Sequence, residues 1–503
     1  MKNIILPTIS TLVFSLTSVA QVYAPMAQAQ VVTVQAQQKF QRLQALAQIL
    51  TRHGLMYSLY LDPMVESELQ ALVTSNNLAA LDLRLIEIAT RMASDLSRGR
   101  VLPTDIPDKA SIKVKPFVHQ VSVTNYLAGA VSVEQFMSLV APNNRIYTDA
   151  LAVLQSIMDL KAQNRWTARP VGLNLLTIKK GLVNPAVISY ARMQLSNFGY
   201  ENNPGSTVLD AELDTAIKDF QADNGLVADG IAGANTWKIL DRPADQLITQ
   251  ALLNLDRTRW LPNQNAAEYI YVNLAQQTFQ YFENETETLS FRTINGRVDR
   301  QTPMMIDVAR EVVLNPTWTV PRNIFVKDKL AKLRENPSYL TELHARLYSD
   351  ITGQEVDPYS IDWNQDPSNL PYTIVQSPGP WNALGRIKFP LTNAFAIYLH
   401  DTSERNLFVE SDRLRSSGCV RLSQPFDVGA KLLAGTVWTM DAIMAATEYA
   451  PVQAEKPTNI SLKRSVPVYL VYKTLVKSGN KILSSNDPYD IDAEMYNVMF
   501  SGK

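Results

Sequence analysis

Apolar residues recur at helical spacing through the first third of the chain. Over 34–51 (VQAQQKFQRLQALAQILT) Phe40, Leu43, Leu46 and Ile49 fall three apart and make one stripe. Residues 76–98 repeat it through Leu78, Leu81, Leu85, Ile88 and Met92, and Gly99 stops it. Residues 125–140 and 147–163 predict further helices, punctuated by Pro103, Pro107, Pro116 and Pro142. The stretch 30–180 therefore reads as a helical scaffold domain in which nothing converges on chemistry. A compact unit follows over 181–245. Pro185 starts a helix holding Ile188, Met193 and Leu195, and Asp210 opens a second with Leu213, Ala216, Ile217 and Phe220 on one face. Gly225 suits a helix stop and Asp229-Gly230 a tight turn, so a small three-helix bundle fits.

Near residue 265 the period changes from helical to alternating. Tyr269–Asn273, Thr278–Phe282, Leu289–Asn295 and Glu311–Leu314 are the predicted strands. Asn315-Pro316-Thr317-Trp318-Thr319-Val320-Pro321 breaks them and opens an insertion over 316–377, with helical pieces at Val326–Arg334 and Tyr339–Tyr348. An interruption of that size between strands is more often functional than idle, and it reads as a lid over a groove. Trp318 and Tyr372 are its candidate aromatic contacts, unless they pack the insertion's own core. The sheet resumes through Gly385–Phe389 and Ala394–His400, where alternation puts Phe395, Ile397 and Leu399 on one face and Tyr398 and His400 on the other. A helix capped by Ser423, closing strands at Val437–Met440 and Val466–Tyr472, and a polar tail over 476–503 complete the chain. The fold class is α+β multidomain: a helical scaffold, a small helical bundle, then a β-rich domain over 265–475 with an inserted helical lid.

Composition narrows the partners. The 47 basic and 48 acidic side chains leave a net charge of −1, which gives no field for nucleic acid or an anionic membrane. Lys2, the apolar run Ile4–Ala20 and Ala27-Gln28-Ala29 together read as an export signal over 1–29, with Ser18-Val19-Ala20 as a second cleavage site. The run is short for a bilayer span of ~20 residues, so membrane association would come only through an uncleaved signal. The chain has one cysteine, Cys419, and four histidines, of which His53, His119 and His344 lie far from His400. Four scattered histidines argue against a metal site. Compartments outside the cytoplasm oxidise thiols, so an exported chain with one unpaired cysteine has reason to use it.

The stretch His400–Arg421 (HDTSERNLFVESDRLRSSGCVR) holds that cysteine nineteen positions after the histidine. A thiol attacks as thiolate, and an imidazole in reach can take its proton and hold an ion pair. A following helix would add positive partial charge at Cys419. Ser417-Gly418-Cys419 is a tight polar turn in which Gly418 lets backbone N–H groups converge, as an oxyanion hole requires. Arg421 is placed either to brace this turn or to meet an anionic substrate.

Two motifs carry a resemblance. F-Q-A-D-N-G-L-V-A-D-G-I-A-G-A-N-T, over Phe220–Thr236, resembles the signature of peptidoglycan-binding domains. His400 with S-S-G-C-V-R resembles the L,D-transpeptidase (YkuD-type) signature, in which a histidine is followed at this spacing by S-H-G-C and V/I-R. N-P-T-W-T-V-P, the long insertion and L-G-R-I-K-F before I-Y-L-H-D-T are similar to the large periplasmic YcbB-like subgroup of Gram-negative bacteria. Ser417 stands where the general motif has histidine.

The resemblance implies a periplasmic, wall-associated enzyme without cofactor or metal. Cys419 is implied as nucleophile and His400 as general acid/base, with Ser417, Gly418 and Arg421 around the oxyanion. Tyr398, Arg386, Trp318 and Tyr372 are the candidate substrate contacts. The implied partners are a tetrapeptide stem as donor, a diaminopimelate amine as acceptor and other wall-synthesis enzymes. The implied product is a 3→3 cross-link. Water as acceptor would make the enzyme an L,D-carboxypeptidase, and a lipoprotein lysine an anchoring enzyme. Acylation by carbapenems is implied too. The reading from another class is a non-catalytic wall-binding protein. A metallo-peptidase would need a ligand pair such as H-x-x-x-H near His400, and none is there.

Overall fold

The computed structural model describes residues 34–201, 203–262, 266–448 and 456–500. The predicted export signal lies outside the described residues. No described helix is long and apolar enough to cross a membrane.

Two compact units divide the chain, the first made of Met1–Arg100 and Lys115–Asn143. It is helical as predicted. The helix over 34–51 packs with Leu78–Arg98 and three shorter helices around Phe40, Leu43, Leu85, Met92 and Phe136. The 3.6-residue turn carries the buried stripe to Leu50 rather than Ile49. Ser132 and Gln135 form a capping box at Val133–Val140, and Asp62 caps Pro63–Thr74.

The second unit holds Val101–Val114 and everything from Asn144. Helix Arg145–Ala162, which periodicity groups with the scaffold, shares a core with the following bundle through Tyr147, Val153, Leu154 and Ile157. That bundle comprises Pro185–Asn197, Ala211–Asp223 and Ala234–Leu240, the first two capped by Asn184 and Asp210. The Phe220–Thr236 motif has a structural role inside it. The Gln221 amide donates to Asp229 Oδ1 (3.0 Å), the Ile231 carbonyl (2.9 Å) and Thr236 Oγ1 (3.1 Å), and its carbonyl accepts from Gly230 N (2.9 Å). One buried amide thus ties the motif's turn to both flanking helices.

The β-rich domain is a ten-stranded sheet that closes on itself. Its order runs Ala110–Ser111, Met304–Leu314, Thr458–Val471, Glu268–Asn273, Thr278–Glu283, Thr286–Gly296, Val420–Leu422, Leu399–His400 and Ile387–Phe389, and the tenth strand, Leu414–Ser416, pairs with Thr286–Gly296 off this path. The last strand of that order pairs back onto Met304–Leu314 through Val313↔Lys388, which closes the ring and leaves the two-residue strand Ala110–Ser111 as a short edge. Ile270, Val272, Phe279, Phe291, Val468 and Leu470 alternate into the main core.

The insertion carries its own core and its own three-stranded sheet of Trp318–Thr319, Tyr372–Gln376 and Ala345–Ser349, beside helices. The predicted helix over Tyr339–Tyr348 therefore stops at Glu342 and gives way to a strand. No strand forms at Val437–Met440: Val437 is exposed, and Thr439 caps the helix Met440–Ala446. The C-terminal stretch, polar in composition, is structural. Its hairpin Leu475–Ser484 enters the bundle core, and Tyr489, Ile491, Met495 and Met499 enter the main one.

Candidate active site

Leu399–His400 lies parallel to Val420–Leu422, with Leu399 opposite Val420 and His400 opposite Arg421. Leu399 and Val420 are fully buried and fix both strands in the core. Neighbouring strands run about 4.8 Å apart, so His400 sits beside the segment that Cys419 leads into. Both side chains line one cavity of about 300 Å³, together with Trp318, Tyr398, Ser417 and Arg421.

The approach to His400 is a turn where alternation predicts a strand. Asn393 Oδ1 accepts the N–H groups of Phe395 and Ile397 (both 3.1 Å), and its Nδ2 donates to the Ile397 carbonyl (2.9 Å). Asp307 holds the other end, accepting from Thr392 N (3.0 Å) and Asn393 Nδ2 (2.8 Å). Burial pushes the Asp307 carboxyl up, but these bonds outweigh it and keep it below the usual carboxylate range. The turn drives Ala396 to φ +55°, a left-handed conformation costly for a residue with a Cβ. Phe395 consequently faces solvent instead of the core. The Cys419 thiol donates to the Ala396 carbonyl at 3.5 Å.

The cysteine loop is held from three sides. Ser416 Oγ accepts the Gly418 N–H (3.1 Å) and donates to the Cys419 carbonyl (2.6 Å). Thr302 Oγ1 donates to the Gly418 carbonyl (2.7 Å) and accepts the Gly296 N–H (3.0 Å), while Tyr489 donates to the Gly296 carbonyl (2.6 Å). The C-terminal tail thus reaches the cysteine loop through two hydrogen bonds of Thr302. Arg300 donates to Ser417 Oγ (3.1 Å) and forms a bidentate pair with Asp328 of the insertion (2.6 Å). Gly418 has φ +121°, and a Cβ there would lie 2.9 Å from Ile397 Cδ1.

Two expectations change here. Gly418 N–H is committed to Ser416, whereas the amides of Ser417 and Cys419 make no hydrogen bond among the described residues. Cys419 leads into a strand, not a helix: the next helix starts only at Pro425, with Gln424 rather than Ser423 at its N-cap position.

Tyr398 packs edge-on to His400 (5.6 Å), and the Lys388 ammonium lies 4.0 Å from the Tyr398 ring centre. Arg421 bonds Glu404 and lines the cavity. Arg386 and Tyr372 do not line it. The Arg386 guanidinium lies over the Phe426 ring (4.5 Å), and Tyr372 packs beside Trp363 (6.2 Å) in the insertion core.

Burial pushes the Cys419 thiol up to about 11, against hydrogen bonds from Tyr398 and the charges of Lys388 and Arg421. Burial, then Arg421 and Lys388, push His400 down to about 3, with the Asp401 and Leu384 backbone opposing. These shifts favour a neutral thiol beside a neutral imidazole over the ion pair expected from the residue types alone. Both cations favour thiolate and disfavour imidazolium, so a proton leaving sulfur finds His400 a base only as charge develops elsewhere.

Sequence reasoning missed Lys388, Arg300, Thr302, Asp307 and Asn393. Only Lys388 carried a local signal, since it alternates with Arg386 on one strand and falls opposite His400.

Residues 267–440 match the family described as "L,D-transpeptidase catalytic domain" (YkuD). Residues 187–240 match "Putative peptidoglycan binding domain", and 17–154 match "Scaffold domain". The chain thus carries a YkuD-type L,D-transpeptidase catalytic domain behind a domain of the peptidoglycan-binding kind. A curated "Putative L,D-transpeptidase" of Haemophilus influenzae (strain ATCC 51907 / DSM 11121 / KW20 / Rd) is 34% identical over 249 residues, 49% of each chain. The chain therefore spans about half the length of that relative. Among solved structures, an L,D-transpeptidase (Yku) from Stackebrandtia nassauensis is 13% identical, covering 61% of this chain and 97% of its own, with a TM-score of 0.23. The Ldtfm-avibactam carbamoyl enzyme is 12% identical, covering 44% and 61%, with a TM-score of 0.20.

Proposed function

We propose that this chain is a cysteine-dependent L,D-transpeptidase that forms 3→3 cross-links in peptidoglycan outside the cytoplasmic membrane. One observation carries the reading: Cys419 and His400 line a single cavity, with the thiol fixed on the strained Ala396 carbonyl. Arg297, Lys329, Arg415 and Arg421 around that cavity outnumber Asp328 and Glu404, which suits a carboxylate-bearing stem peptide. The 187–240 domain and wall-synthesis enzymes nearby would keep the chain on its polymer.

In the first half-reaction Cys419 sulfur attacks the carbonyl between the L-centre of diaminopimelate and the terminal D-Ala of a tetrapeptide. Its proton passes to His400 as the C–S bond forms. The unbonded amides of Ser417 and Cys419 receive the oxyanion. The C–N bond then breaks, His400 returns the proton to the departing D-Ala amine, and a thioester remains. In the second half a diaminopimelate amine attacks the thioester, gives its proton to His400, and sulfur leaves to recover that proton.

Muropeptide mass spectrometry of sacculi incubated with wild type and Cys419→Ala tests this. The expected result is 3→3 dimers with wild type alone. Trimmed monomers alone would move the assignment to an L,D-carboxypeptidase, modified lipoprotein lysines to an anchoring enzyme, and no change would leave wall binding.

A further inference from the structure

The sheet has a second polar face away from the catalytic cavity. Residues opposite the main core alternate along its strands as Tyr271, Asn273, Thr278, Gln280, Ser290 and Lys473. A polar sheet face is normally left to solvent. Here helix Arg145–Ala162 and the hairpin Leu475–Ser484 fold over it and leave a cavity of about 290 Å³, near the lower size of small-ligand sites.

Lys473 is the anomaly in that cavity. It is 6% exposed, and its ammonium makes no hydrogen bond or ion pair among the described residues. Its backbone is clamped at both polar atoms by Asn273, whose Oδ1 accepts the Lys473 N–H (3.0 Å) and whose Nδ2 donates to its carbonyl (2.9 Å). The nearby acid is no counter-ion: Asp149 is paired with Arg145 (3.3 Å). Arg257, the other charge it senses, is cationic and already paired with Asp492 (2.6 Å). The Tyr271 hydroxyl, on the same wall, also makes no hydrogen bond among the described residues. The Lys473 stem is buried while its ammonium borders the cavity without a partner among the described residues, which leaves the charge available to a ligand there. The cavity's two carboxylates are already engaged, Asp149 by Arg145 and Glu287 by the Gln280 amide, and neither is bonded to Lys473.

We propose that this cavity is a second ligand site for a small carboxylate, with Lys473 as its counter-ion and Tyr271 as a second donor. The site stands apart from the cysteine chemistry and does not rest on it. A carboxylate there comes either from a peptide terminus or from a free organic acid, and two probes separate these sources.

Calorimetry on the full chain would use N-acetyl-D-alanine, succinate and D-alaninamide. At least one carboxylate should bind saturably while the amide does not, with N-acetyl-D-alanine favoured for a peptide end and succinate for a free acid. Lys473→Met should weaken binding at least tenfold, Tyr271→Phe several-fold, and Cys419→Ala not at all. Lys473→Met should also melt no lower than wild type without ligand, because it removes an unpaired charge. Should it fail to fold, Tyr271→Phe with the amide control carries the test. Absence of saturable binding, equal binding of the amide, or binding unchanged in both variants would overturn the site.

Discussion

The neutral resting pair makes a prediction opposite in sign to the usual expectation for a catalytic cysteine. An ordinary thiol ionises near ~8.5 and is about 3% thiolate at pH 7. Cys419, pushed up to about 11, would be thiolate in about one molecule in ten thousand, roughly 300-fold less. The more basic thiolate recovers part of this: with a Brønsted slope of ~0.45, intrinsic nucleophilicity rises about 13-fold. Cys419 should therefore react with iodoacetamide about 20-fold more slowly than free cysteine at pH 7. Quenched labelling followed by mass spectrometry from pH 6 to 10 measures the rate. It should climb about tenfold per pH unit without a plateau below pH 10. Lys388→Met, which removes a charge favouring the thiolate, should lower the whole curve. A plateau below pH 8, with labelling faster than free cysteine, would refute the neutral pair and restore the thiolate–imidazolium one.

Further predictions follow from the same contacts. Unfolded histidine takes a proton near ~6.5, whereas His400 stays neutral down to about 3, so the unfolded state binds the extra proton between these values and stability falls as pH drops through that window. His400→Gln should lose this component, worth at most about 5 kcal/mol, and urea unfolding at pH 7 and pH 3.5 would show it; an unchanged difference between the two proteins counts against it. Ser416→Ala leaves the Gly418 N–H without its acceptor and should cost about 2 kcal/mol in thermal unfolding, with a fall in kcat larger than any change in KM. Asp328→Asn removes the charge that Arg300 meets and should cost about 1–2 kcal/mol while speeding proteolysis within 316–377; equal cleavage rates would show that the pair does not hold the insertion down.

How much of this was legible in the sequence differs by element. Helical stripes and alternating strands were readable because each buries one face, and that period is local. Cys419 and His400 could be put forward from the sequence because a chain with one thiol and four histidines offers few candidates, and the structure places both on one cavity. The turn at Asn393–Ala396 was not, since Asn393 and Asp307 are 86 positions apart and override a good alternating pattern. The C-terminal tail misled by composition: its apolar residues Ile482, Tyr489, Ile491, Met495 and Met499 are buried, and only tertiary packing shows it. Arg386 and Tyr372 looked like substrate contacts by residue type, but a ring neighbour claimed each. Gly418 was identified for its freedom of φ, which the structure uses, but its N–H serves Ser416 inside the loop.

The central claim is that Cys419 carries an acyl group with His400 as proton carrier. The direct test is intact-protein mass after rapid acid quench of the full chain with a disaccharide tetrapeptide. The account predicts a hydroxylamine-labile adduct equal to the substrate less its terminal alanine, located on the peptide containing Cys419, absent in Cys419→Ala and strongly reduced in His400→Gln. Turnover by Cys419→Ala, or an adduct on any other residue, would contradict it.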